Sequence, residues 1–196
     1  MRAGWIAVAL LATGCLYRDA PEPRFFRPES ALLEGSDRAP SAAAPSTGPG
    51  VALRLRPVRG TPLLRERIVW RTSSVEYGLY DQRRWSDLPA SYIERALETA
   101  LRATPGVRLT DETVAAVLRV EVVAFDEVLA PARVAAVSLV VKLSDGERLR
   151  LIDRTFSAEA QIGNEAPAAT AVAMGKALDE VVGAVVVAVR EALQGR

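Results

Sequence analysis

Val51, Leu53 and Leu55 alternate with Ala52, Arg54 and Arg56, the two-residue period of a strand with one buried face. A turn at Gly60-Thr61-Pro62 follows, and 66–71 (ERIVWR) reads as a second strand. Residues 75–80 (VEYGLY) read as a short third strand, in which Gly78 marks a bend or a close approach. The period then changes. Pro89 suits the first turn of a helix, with Ser86 or Asp87 as candidate caps. Ile93, Ala96, Leu97, Ala100 and Leu101 line one face of that helix, and Glu94, Arg95, Glu98 and Arg102 take the other, until Pro105-Gly106 ends it.

Strand periodicity returns three times. In 116–124, Leu118, Val120 and Val122 oppose Arg119 and Glu121; in 134–143, Val137, Leu139, Val141 and Leu143 oppose Ser138 and Lys142. Asp145-Gly146 is a hairpin signal, and 148–157 reads as the return strand, with Leu149 and Leu151 on one face and Ile152 and Phe156 on the other. After a loop through Gly163-Asn164, Pro167 opens a long helix ending near Leu193, with Met174, Leu178, Val181, Val185 and Val189 as its main apolar face. These elements predict an α+β domain, an antiparallel sheet of four or more strands with two helices packed on one face. The other sheet face is left short of cover.

Before Val51 the pattern fails. Ala39 to Gly50 (APSAAAPSTGPG) is small, Pro-rich and nearly uncharged, and Pro21, Pro23 and Pro28 punctuate the stretch before it. Such a composition builds no core, so 15–50 is expected to be a flexible tether and 51–196 the folded domain. Phe25-Phe26 is the exception in the tether, a pair of aromatics available to dock on the body or on a membrane surface.

Residues 1–14 differ again. Arg2 and the amino terminus supply positive charge, and 5–11 (WIAVALL) form an apolar run too short to span a bilayer as a helix. Small residues at 12–14 precede Cys15, the single cysteine of the chain. This arrangement resembles a bacterial lipoprotein signal, with Ala12 where leucine is more usual. Cleavage would make Cys15 the first residue and the site of lipidation, and two or three acyl chains, at about 0.8 kcal/mol per buried methylene, anchor a domain stably. Leu16, rather than an aspartate, after the cysteine leans toward the outer membrane.

Composition narrows the chemistry. A net charge of +1 over 196 residues predicts no nucleic-acid partner. The chain has no histidine, which removes histidine bases, Ser-His-Asp triads and histidine metal ligands. Acylation of Cys15 would leave no thiol chemistry. Asp126-Glu127 reads as a loop before Pro131, Asp111-Glu112 as a turn, and Ser73-Ser74 has no base partner. No phosphate-cradling glycine loop or metal-ligand cluster stands out, so neither an enzyme, a cofactor nor a metal is expected.

Two stretches are candidate interfaces. Ile68 to Trp85 concentrates Trp70, Arg71, Tyr77, Tyr80, Arg84 and Trp85, and aromatics beside arginines recur at protein interfaces. The same tryptophans would serve equally to anchor the first helix to the sheet. Val181 to Val189 (VVGAVVVAV) is apolar nearly all round, either because it is buried in the core or because Val182, Val186 or Val187 meets a neighbouring subunit.

The order of these pieces is itself informative: Ile68-Val69-Trp70-Arg71, then Tyr80, Arg84, Trp85 and Pro89, then Arg154-Thr155-Phe156 ending a strand, then an alanine-rich opening to the last helix. Over roughly 51–194 it resembles the auxiliary lipoproteins of ABC-type transport systems, the group that includes the paraquat-inducible protein C lipoproteins. The resemblance implies a non-enzymatic role in transport between inner and outer membranes. It implies partnership with an MCE-domain protein and an ABC permease and ATPase, phospholipid or a related hydrophobic cargo, and a homo-oligomeric state. The location implied is the periplasmic face of the outer membrane. Trp70, Arg71, Tyr80 and Trp85 would form the characteristic surface or its support. Two other classes stay open: a scaffold lipoprotein that tethers envelope complexes without handling lipid, and a carrier with its own apolar pocket between sheet and helices.

Overall fold

A computed structural model describes residues 22–38, 50–145 and 150–195. Cys15, the leader, most of the Pro/Ala-rich stretch and the tip of the Asp145-Gly146 hairpin lie outside them. The strands are β1 (Arg24–Phe26), β2 (Val51–Leu55), β3 (Arg59–Gly60), β4 (Arg67–Arg71), β5 (Tyr77–Trp85), β6 (Val107–Leu109), β7 (Ala116–Val128), β8 (Val134–Ser144) and β9 (Arg150–Gln161). The helices are α1 (Ala31–Arg38), α2 (Pro89–Arg102) and α3 (Pro167–Gln194).

The fold is α+β, as expected, but the sheet is mixed and has nine strands rather than being purely antiparallel. The long strand β7 explains the difference. One of its edges pairs antiparallel with β8, which pairs antiparallel with β9. Its other edge is shared by three short strands in succession: β2 beside 116–118, β3 beside 121–122 and β4 beside 126–128, all parallel to it. From there the sheet forks, with β6 parallel to β2 at one end and β5 then β1 beyond β4 at the other. Parallel neighbours need a crossover, and α2 supplies it by carrying the chain from β5 back to β6.

The inward face follows the alternation. Leu118, Val120 and Val122 pack beside Val137, Leu139, Val141 and Leu143, and Ile152 and Phe156 continue the layer. A register shift between Val122 and Ala124 turns the next inward positions to Phe125 and Glu127. Helix α3 covers β8 and β9, and α2 covers β6 and β7. In α2 neither expected cap operates: Leu88 is the N-cap, Asp87 accepts the Leu88 N–H at 2.7 Å, and Ser86 instead meets the Tyr92 hydroxyl at 3.0 Å. Among the described residues no helix is long and apolar enough to cross a membrane.

The tether expectation needs a second correction. Residues 24–38 are folded onto the body: Phe26 packs against the core, Leu33 is fully buried, and α1 lies on α2 and α3. Pro23 and Pro28 flank the short strand β1, and Phe26, Leu32 and Leu33 bury the apolar area that holds the segment. Phe25 remains 61% exposed. The folded unit therefore begins well before Val51.

Candidate interaction site

The ribbon of β4 and β5 carries most of the expected interface residues, and their surroundings separate them. Trp70 is half-buried opposite Gly78 on β5. A Cβ at position 78 would lie 2.1 Å from the indole ring, so only glycine lets Trp70 lie flat across the neighbouring strand. Arg71 points to the sheet face away from the helices, its Nε 3.3 Å from Asp126 Oδ2. Tyr80 is half-buried, with the Arg83 guanidinium 4.2 Å from its ring centre.

Trp85 is different. It is 1% exposed and sits edge-on to Phe125 at 5.3 Å and to Tyr92 at 6.5 Å between ring centres. It anchors α2 to the sheet and presents no surface to a partner. Val182 is likewise fully buried, Val186 is half-buried, and Val187 is 46% exposed. The outward stripe of α3 is Gly183, Ala184 and Val187, so of the three valines singled out Val187 faces outward, Val186 lies at the edge and Val182 points into the core.

Asp126 and Glu127, expected in a loop, end strand β7 and are both buried. Adjacent strand residues point to opposite faces, so the two carboxylates do not form a pair. Asp126 shares the outer face with Arg71 and accepts the Phe125 N–H at 3.0 Å. Burial nonetheless raises its pKa above the usual aspartate range, with the Phe125 amide and Arg71 only partly opposing. Glu127 lies on the inner face between the sheet and the start of α3, fully removed from solvent. Arg133 Nε donates to its Oε1 at 2.5 Å and Thr170 Oγ1 to its Oε2 at 3.0 Å. Arg83 Nη1 stands 3.8 Å from the same Oε2, and the Tyr80 hydroxyl lies beside the carboxylate. Burial and then the Glu127 charge raise the Tyr80 pKa. Two arginines, a tyrosine and a threonine thus lock one carboxylate where β5, β7, the β7–β8 turn and α3 meet. This is a structural brace, since both Glu127 oxygens are engaged by protein groups. No sequence motif marked it. The break in alternation after Val123 conceals that the strand continues past Ala124.

The segment that leads toward Cys15 is fixed by a second device. Ser30 Oγ donates to Asp179 Oδ1 at 2.5 Å and accepts the Leu33 N–H at 3.2 Å, capping α1, while the Ala31 N–H donates to Asp179 Oδ2 at 2.9 Å. The Glu29 N–H donates to the Ala171 carbonyl at 3.2 Å. Gly175 permits this crossing, because a Cβ there would lie 1.8 Å from the Glu29 carbonyl oxygen. Among the described residues no group of three or more histidine, cysteine, aspartate or glutamate side chains is placed to hold a metal ion.

The sequence matches the model of a family described as ABC-type transport auxiliary lipoprotein component, over residues 33–186. No curated protein matches it. A crystal structure of a protein from Xanthomonas campestris is similar with a TM-score of 0.70 at 20% identity, covering 88% of this chain and 97% of that one. An uncharacterized protein of known structure superposes with a TM-score of 0.64 at 14% identity, covering 86% of this chain and 99% of that one. A hypothetical protein from Chlamydia trachomatis gives a TM-score of 0.56 at 9% identity, with coverage of 75% and 99%. At these identities the likeness is one of fold.

Proposed function

The chain belongs to the family of ABC-type transport auxiliary lipoprotein components, and on that premise we propose that it is a non-enzymatic part of an MCE/ABC-type intermembrane lipid transport system. It docks or stabilises the periplasmic conduit at the outer membrane, held there by acyl chains on Cys15. The observation that carries this reading is the family match across 33–186, which spans α1 to most of α3. The family membership makes it a lipoprotein associated with ABC-type transport. The MCE-domain partner, the outer-membrane location, a phospholipid cargo and a homo-oligomeric state belong to the proposal.

The packing supports docking over carrying. Trp85, Tyr92, Phe125, Leu97 and Leu139 fill the layer between sheet and helices where an acyl chain would have to lie. The half-buried Trp70 and Tyr80, with Glu127 on their face of the sheet, offer a stiff surface for a protein partner, and Arg71, held by Asp126, faces the other side.

The test is affinity recovery of the full-length chain, with Cys15 intact, from membranes in mild detergent, followed by mass spectrometry of protein and lipid. Recovery of an MCE-domain protein with phospholipid is the expected result, and Trp70→Ala should reduce it. Recovery of envelope structural proteins alone, with no lipid above background, would replace this reading with that of a scaffold.

A further inference from the structure

The sheet face turned away from the helices carries a concentration of positive charge that the chain does not neutralise. Arg56, Arg59, Arg119 and Lys142 line a cleft of about 380 Å³ together with Pro57, Glu121 and Val140. The register explains how they converge. Arg119 and Lys142 are directly opposite each other across β7 and β8. Arg59 lies beside Glu121, and Arg56 follows β2 where its N–H bonds to the Leu118 carbonyl at 2.9 Å. Arg54 shares this face two residues earlier, and its buried Nε has no acceptor.

Like charges directly opposite on a sheet are destabilising. Arginines also stand opposite each other at Arg24/Arg83 and Arg67/Arg84, but there Arg67, Arg83 and Arg84 each have a carboxylate within 4 Å. Arg56, Arg59, Arg119 and Lys142 form no ion pair among the described residues. Asp153, opposite Lys142, is taken by Arg150 at 2.6 Å. Glu121 is the single carboxylate lining the cleft. The cleft therefore keeps an excess of positive charge that suits an anion from outside. The cleft has forked guanidinium donors suited to phosphate oxygens, and apolar walls at Pro57 and Val140 suited to a glycerol backbone.

We propose that this cleft binds the phosphate diester of a phospholipid headgroup. The choice of a phospholipid rests on the transport reading; the preference for an anion rests on the geometry alone. Arg119 and Lys142 hold the phosphate from the floor of the cleft, and Arg56 and Arg59 close over it from the β2–β3 crossing. The acyl chains stay outside, in agreement with the filled layer between sheet and helices. Glu121 opposes a purely anionic ligand, so its neutralisation should strengthen binding.

The full-length acylated chain in an uncharged detergent is titrated with dihexanoyl phosphatidylglycerol and, separately, with inorganic phosphate, by calorimetry. Arg119→Gln and Lys142→Gln should each weaken lipid binding about tenfold, as expected for loss of one charge-assisted contact. Glu121→Gln should tighten it, a change that disrupted folding does not produce. Arg102→Gln, on the exposed side of α2, should leave it unchanged. Equal affinity of the wild type and of both cation variants overturns the proposal, as does the absence of lipid binding. Inorganic phosphate binding as tightly as the lipid also overturns it, by showing a free-anion site. The transport reading is tested apart from this: a chain that recovers the MCE-domain protein yet binds no lipid in the cleft keeps that reading and loses this one.

Discussion

The two ends of β7 handle charge in opposite ways. At 126–128 the strand ends in two buried carboxylates, each met by arginine: Asp126 by Arg71, and Glu127 by Arg133 and Arg83. At 119–121 the same strand meets Arg56, Arg59 and Lys142 in the open, with one glutamate among four cations. Internal pairing brings the first set into the interior and makes it part of the fold. The second set stays hydrated and unpaired, which leaves its interactions available to something else. On one strand, then, burial with a partner marks a structural charge, and exposure without one marks a candidate binding charge.

The comparison breaks most visibly at Glu127. Glu127→Gln leaves Arg133 and Arg83 facing a neutral amide at a position fully removed from solvent, while the arginines themselves stay about a quarter exposed. Removing one partner of a buried ion pair costs about 3–5 kcal/mol. Chemical denaturation of the variant should show that loss, with the β7–β8 turn and the start of α3 loosened together. A loss under about 1 kcal/mol, the level of an exposed pair, would mean that the brace is hydrated and that the contrast between the two ends is false.

Asp179 extends the comparison to a carboxylate met by a hydroxyl and a backbone amide. Asp179→Ala removes the Ser30 and Ala31 contacts and should cost about 1–3 kcal/mol. The segment 22–38 should become the first site of protease cleavage while the sheet resists. Unchanged cleavage there would show that Leu33 and Phe26 hold the segment unaided. A smaller and pH-dependent effect belongs to Asp126. Its folded pKa lies above the unfolded value, so its contribution is full below about pH 4 and declines as pH rises through the raised folded value. Asp126→Asn mimics the protonated acid and escapes that decline. Melting temperatures of wild type and variant, followed from pH 3.5 upward, should therefore shift in favour of the variant as pH rises. A constant difference would place Asp126 in water.

Regular alternation made the strands around Leu118–Val122 and Val137–Leu143 legible, along with the two helices opened by Pro89 and Pro167, because each buries one face and shows it in the period. The parallel pairings were not legible. They depend on β7 outrunning β2, β3 and β4, and the register shift at Val122/Ala124 hid its last residues behind a broken period. Residues 24–38 were not legible as folded because they lie between the prolines at 21–28 and the Pro/Ala-rich 39–50, while Ser30, Leu32 and Leu33 give only a short helical signal. The site divided in the same way. Sequence density drew attention to Trp70, Arg71, Tyr80 and Trp85, but density does not distinguish Trp85, sealed among Tyr92 and Phe125, from the half-buried other three. The Glu127 brace joins residues from positions 80 to 170, and no local pattern reports a contact over that distance.

The smallest expected effect is the most discriminating. Arg119 and Lys142 are solvated, directly opposed and without carboxylate partners, so the fold gains nothing from their charges. Arg119→Gln and Lys142→Gln should each leave stability within about 0.5 kcal/mol of wild type. The sign should favour the variants at low ionic strength, where like-charge repulsion between exposed residues is least screened, and should fade toward zero at about 1 M salt. Denaturation midpoints measured at both salt concentrations check this. A destabilisation comparable to that of Glu127→Gln would reveal a counter-charge supplied by the chain itself, and the cleft would then be structural like the other end of the strand. A neutral result means that two like charges sit together without serving the fold, and their use must be sought in what the cleft binds.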